Sequence, residues 1–125
     1  MSETKEQQQI IKWFRQAYPG YEKALRVSQG GFNYGSRARA AKMVNSAKAS
    51  GYVVGEADIV IMVPTSRYHG LVIEYKAEEG SHKLTDSQQQ YLDFAVSMGY
   101  RALCLKGVEV AIAEITDYMV DRIKL

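Results

Sequence analysis

Two short apolar runs dominate the hydropathy pattern of this chain: Ile59-Val60-Ile61-Met62-Val63, and Leu71-Val72-Ile73-Glu74-Tyr75-Lys76. Each is rich in β-branched residues, and the connection between them carries Pro64 and Gly70, so the pattern predicts two strands joined as a hairpin through Arg67-Tyr68-His69-Gly70. Strand side chains alternate between faces, which puts Val72, Glu74 and Lys76 on one side and Leu71, Ile73 and Tyr75 on the other. Asp58 opens the first run, and the fifteen residues between it and Glu74 are enough for one strand, a turn and the return. A hairpin of that length brings the two carboxylates together.

A period of 3.6 predicts the helices. Ile10, Ile11, Phe14 and Ala17 form a stripe bordered by Trp13, with Thr4 as the expected cap, Gln7 at the capping-box position and Pro19-Gly20 as the stop. Ala24 to Val27 is a short strand candidate, followed by a glycine-rich loop holding Phe32 and Tyr34. A second helix is expected from a Ser36 cap to Ala49, with Ala40, Ala41, Val44 and Ala47 as a close-packing face. Gly55 then turns the chain into the Asp58 strand. Thr85 is expected to cap a helix from Asp86 to Met98, with Gln88 three residues on and Tyr91, Leu92, Ala95 and Val96 facing the core. Arg101 to Leu105 is read as a buried strand, and Val108 to Asp121 as a helix packed through Ile112, Ile115, Met119 and Ile123. This is a mixed α/β pattern, expected to form one domain over residues 1–125.

Composition adds little to that outline. Hydrophobic residues at 46% and charged residues at 24% are ordinary for a soluble globular protein. The single Cys104 excludes an internal disulfide and, within Ala102-Leu103-Cys104-Leu105, is expected to be a buried small hydrophobe rather than a nucleophile. His69 and His82 fall in separate loops, which argues against a zinc pair. No run suits a membrane span and the polar start suits no signal peptide, so a cytoplasmic setting is expected.

Charge does change the picture. The net charge of +2 hides an asymmetry: no acid lies between Lys23 and Gly55, against the six bases Lys23, Arg26, Arg37, Arg39, Lys42 and Lys48. A basic segment beside paired carboxylates suits a phosphate polymer, the bases meeting the backbone and the acids holding a cation; a solvated helix face is the plainer alternative. Two close carboxylates repel unless a proton or a cation lies between them. Hard oxygen ligands with open positions suit Mg²⁺ or Mn²⁺. With Lys76 on the same face, Asp58 and Glu74 make a candidate phosphodiester hydrolysis site.

The ordered set Gly55-Glu56-Ala57-Asp58, Glu74-Tyr75-Lys76, Leu84-Thr85-Asp86-Ser87-Gln88 with Tyr91-Leu92, and Gly99-Tyr100-Arg101-Ala102 resembles the VRR-NUC branch of the PD-(D/E)xK nucleases, in particular its stand-alone, phage-like members. The likeness runs over about residues 31–107, and the first helix also fits. One departure is Ala57, where the family commonly has Pro. The resemblance implies a restriction-endonuclease-like core, a central mixed sheet flanked by helices. It implies Asp58, Glu74 and the backbone carbonyl of Tyr75 as metal ligands, with Lys76 and Gln88 completing the catalytic set. Glu6 and Glu56 are candidate supporting acids, and Arg37, Arg39 and Lys42 candidate DNA contacts. The implied activity is Mg²⁺- or Mn²⁺-dependent cleavage of DNA, branched or duplex, with four-way junctions cut by a homodimer. Two rivals stand beside it: a non-catalytic DNA-binding module, and a phosphodiesterase acting on small nucleotides.

Overall fold

In the computed structural model, which describes residues 2–28, 45–46, 48–81 and 83–124, the pattern resolves into a four-stranded sheet with helices on both faces. Helix α1 spans Glu3–Ala17, strand β1 Leu25–Val27, β2 Ile59–Ile61, β3 Leu71–Lys76, helix α2 Asp86–Ser97, β4 Arg101–Lys106 and helix α3 Val108–Val120. The strand order is β1-β2-β3-β4. The first two pairings are antiparallel and the last is parallel, with α2 as the crossover. Arg37, Arg39 and Lys42, like Phe32, Tyr34 and the Ser36 cap, lie outside the described residues; 45, 46, 48 and 49 are helical. Among the described residues no helix is long and apolar enough to cross a membrane.

The alternation along β2 and β3 sorts the molecule into two cores. Ile59, Ile61, Leu71, Ile73 and Tyr75 face α1 and α3, where Ile10, Phe14, Ala111, Ile115, Tyr118 and Met119 close the larger cluster. Val72, on the opposite face, packs with Ala57, Leu92 and Ala95 beneath α2. Complete burial of one such aliphatic or aromatic side chain is worth ~1.5–3 kcal/mol. β3 is covered on both faces, so its burial is continuous and does not alternate. That places the carboxylate of Glu74, 3% exposed, inside the central strand.

Several expectations need correction. Ser2, not Thr4, caps α1, its hydroxyl accepting from the Lys5 amide at 3.2 Å, because the chain turns helical two residues earlier than the apolar stripe requires. Val96 and Ile123 are exposed: the first points away from the sheet, and the second lies beyond the end of α3. β4 is an edge strand, partly open, with only Leu105 buried. Cys104 is accordingly exposed rather than packed.

Candidate active site

The hairpin register decides the site. Ile59 pairs with Ile73, Val60 with Val72 and Ile61 with Leu71. One further step sets Asp58 across from Glu74 on the α2 face. The ladder is altered at that step: the Tyr75 amide donates to the Asp58 carboxylate, Oδ2, at 2.8 Å. N–H and C=O of one strand residue point to the same side, so the Tyr75 carbonyl also faces Asp58. The next residue turns the other way, its carbonyl accepting from the Gly107 amide at 3.1 Å.

Helix α2 supplies the rest. Thr85 caps it through the Gln88 amide at 3.1 Å, and the Gln88 side chain returns the bond, Oε1 accepting from the Thr85 amide at 3.0 Å. This completes the capping box. The same side chain reaches the sheet: Nε2 donates to Glu74 Oε1 at 2.9 Å, and Oε1 accepts from Lys76 Nζ at 3.2 Å. Lys76 Nζ also lies 3.7 Å from Glu74 Oε1. Gly55 permits this approach. Its φ is +83°, and a Cβ there would run into the backbone of Ser87 and lie 2.8 Å from the Gln88 nitrogen, so the turn before Asp58 rests directly on the start of α2.

Electrostatics marks the carboxylate pair as under load. Desolvation, then the charge and contact of Asp58, push Glu74 up to about 8, against a lowering by Lys76. Asp58 is raised too, by desolvation first, although the Tyr75 amide and Lys76 oppose it. Glu74 Oε2 is buried and has no hydrogen-bond partner. A buried, unpartnered oxygen beside a second carboxylate is the arrangement a divalent cation would relieve. Among the described residues no three His, Cys, Asp or Glu side chains converge. Asp58, Glu74 and the Tyr75 carbonyl, the set the resemblance implies, are the oxygen donors that would hold a metal here, with its other positions left to water and phosphate; such a donor set fits Mg²⁺ or Mn²⁺ and does not make a closed structural cage.

A family profile, the VRR-NUC domain, matches residues 1–109. The chain belongs to the VRR-NUC family. A solved structure described as a VRR_NUC domain protein superimposes with a TM-score of 0.78 at 24% identity, covering 97% of this chain and 90% of the other, which agrees in fold. No curated protein matches. VRR-NUC membership gives the protein a nuclease-like role in DNA processing.

Within this VRR-NUC domain, Asp58, Glu74, Lys76 and Gln88 lie together, while Glu6 and Glu56 make their hydrogen bonds elsewhere. Glu6 is buried on the other face, where its Oε1 accepts from the Tyr75 hydroxyl at 2.6 Å and the Glu78 amide at 3.0 Å; these bonds hold its carboxyl below the usual range. Glu56 closes its own turn, accepting from the Val53 amide at 3.3 Å. The acid on α1 that senses the site is Glu3, raised by desolvation and then by the charge of Asp58.

Proposed function

We propose that this VRR-NUC domain is a Mg²⁺- or Mn²⁺-dependent endodeoxyribonuclease, selective for branched DNA such as four-way junctions and acting as a homodimer. The observation that carries the catalytic part is the unpartnered, buried Oε2 of Glu74 facing Asp58, with an amine and an amide fixed beside it. A bound divalent ion would offset charge on the scissile phosphate and lower the pKa of water. Asp58 and Glu74 would hold that ion, and the Tyr75 amide keeps Asp58 turned toward it. Lys76, steered by Gln88 and Glu74, presents its ammonium to the phosphate oxygens or to the attacking water. Gln88, fixed by its own cap, holds Lys76 and Glu74 in one orientation.

The intact set of four residues favours this reading over a non-catalytic DNA-binding module. Selectivity for branches and the symmetric pair rest on the likeness to minimal dimeric members of the family; a two-fold pair would present two sites to two strands of a junction. The test is cleavage of linear, nicked, flapped and four-way DNA with Mg²⁺, Mn²⁺ or chelator, together with a solution mass. Asp58→Ala, Glu74→Ala and Lys76→Ala should each abolish nicking while remaining folded. Cleavage at the wild-type rate in chelator, or in all three variants, overturns the catalytic reading. Equal rates on linear and four-way DNA, or a monomeric mass, overturn the finer one.

A further inference from the structure

The sheet face that carries Asp58 and Glu74 also carries a groove. Arg26 pairs with Val60, and Val60 with Val72. Residues across a ladder share a face, as do residues two apart along a strand, so this row lies beside the carboxylates, one step of ~7 Å along the strands. Helix α2 buries Val72 but leaves Val60 partly open, and the two valines floor a groove of about 460 Å³. Tyr91, Phe94 and Met98 form its wall, with Tyr100 beside them; no charged side chain lines it. Phe94 is 62% exposed. Tyr91 follows Gln88 by three residues, ~4.5 Å along the helix from the side chain that holds Lys76. The Tyr91 hydroxyl is raised by desolvation first and then by Glu56 and Tyr100, so the groove starts at the turn that leads into Asp58.

An uncharged groove with aromatic walls and a cation on its rim has the chemistry of a single-stranded nucleic acid site, where bases stack on rings and phosphates meet basic side chains. Arg26 supplies the rim: it is exposed, stands on this face, and belongs to the acid-free stretch from Lys23 to Gly55. A second copy of the chain fits less well, because Phe94 and Met98 are the exposed apolar side chains of the lining and fall far short of the ~800 Å² per partner of a standard interface. We propose that the groove takes an unpaired base of the DNA substrate, stacked on Phe94 and Tyr91, while Arg26 holds a phosphate of the same strand. At a rise of ~3.4 Å per nucleotide, the base lies about two nucleotides from the scissile phosphate. A base at a branch leaves its stack at lower cost than one inside a duplex, so the groove gives branch selectivity a cause in this chain's own residues. This rests on the nuclease reading for the position of the cut, whereas the groove itself has a test that needs no cleavage.

The probe is a short single strand carrying one 2-aminopurine, and the same strand in a full duplex, each titrated with protein in chelator. Binding should quench the single strand severalfold and leave the duplex unchanged. Phe94→Leu, which keeps apolar bulk without a ring, should abolish the quench and weaken single-strand binding about tenfold, with duplex affinity unmoved; Phe94→Tyr should keep both. Arg26→Gln should keep the quench and reduce the slope of log affinity against log salt by about 0.7. Val120→Ala, a change at an exposed apolar residue of α3, should alter none of these. No quench with the wild type, a quench that survives in Phe94→Leu, or a salt slope unmoved in Arg26→Gln would each overturn the inference. A solution mass that halves in Phe94→Leu would also overturn it, making the groove a contact between copies. If the wild type fails to cleave with Mg²⁺ while the Phe94-dependent quench persists, the groove stands and the nuclease reading falls; cleavage without any quench leaves the nuclease reading and removes the groove.

Discussion

Replacing Glu74 by glutamine should stabilise the metal-free protein, and by more as the pH rises. Between 4.5 and about 8 the folded protein keeps a proton on Glu74 that the unfolded chain has released. In that window the folded state binds more protons, so the stability of the wild type falls as pH increases. Below 4.5 there is no penalty, and above about 8 it is complete. Taken whole, that gap corresponds to roughly 5 kcal/mol at ~1.4 kcal/mol per pH unit. Part of it belongs to Asp58, and solvent at the mouth of the site screens the rest, so a gain of about 2 kcal/mol is the working figure. The amide keeps an oxygen for Gln88 Nε2 and offers Asp58 an N–H where the unpartnered Oε2 now stands. For a chain of this size, 2 kcal/mol is a rise in Tm of about 8 °C. The assay is thermal melting in chelator at pH 5, 6.5 and 8, followed by the same series with Mg²⁺. Variant and wild type should melt together at pH 5 and diverge by pH 8, and Mg²⁺ should raise only the wild type at pH 8. Parallel curves at all three pH values, or a variant less stable at pH 8, would refute the reasoning.

Other perturbations follow from the same geometry. Gly55→Ala must adopt a left-handed φ and also push against the backbone of Ser87 and Gln88, so it should cost about 3 kcal/mol and slow cleavage; Gly51→Ala, with φ of +106° and open space around it, should cost only about 1. Comparable melting losses in the two would show that the contact with α2 is unimportant. Thr85→Ala should lose about 1 kcal/mol with the cap, and kcat should fall with it because Gln88 is no longer anchored; an unchanged kcat would separate cap from catalysis. Glu6→Ala leaves the Tyr75 hydroxyl and the Glu78 amide without their acceptor, so it should melt earlier and cut more slowly at saturating DNA, whereas Glu6→Gln keeps most of both. Equal loss in the two variants would point to the charge instead of the bonds.

The antiparallel pair was readable because a two-residue period in both strands leaves one register that buries Ile59, Ile61, Leu71 and Ile73 together, even across the connection of residues 62–70. Thr85 and Gln88 were readable for a similar reason: a capping box is local. What escaped depends on distant parts of the chain. The register of β4 is set by how α2 packs in the crossover, so neither the exposure of Cys104 nor the Lys76–Lys106 pairing follows from the apolar run Ala102–Leu105. The acceptor role of Glu6 depends on a tyrosine 69 positions away. Val96 lies at a plausible helical spacing, but Leu92 and Ala95 are the residues of α2 that the sheet buries, and Val96 stays exposed.

Gln88 serves two masters, since the oxygen that completes the start of α2 is also the one that receives Lys76. Fraying of that first turn would leave Lys76 with Glu74 as its remaining partner, so on the proposed catalytic reading the working fraction would follow a local melting equilibrium rather than global unfolding. Cleavage should then fade on warming before the fold does, and amide exchange at residues 85–88 should run in step with the fading.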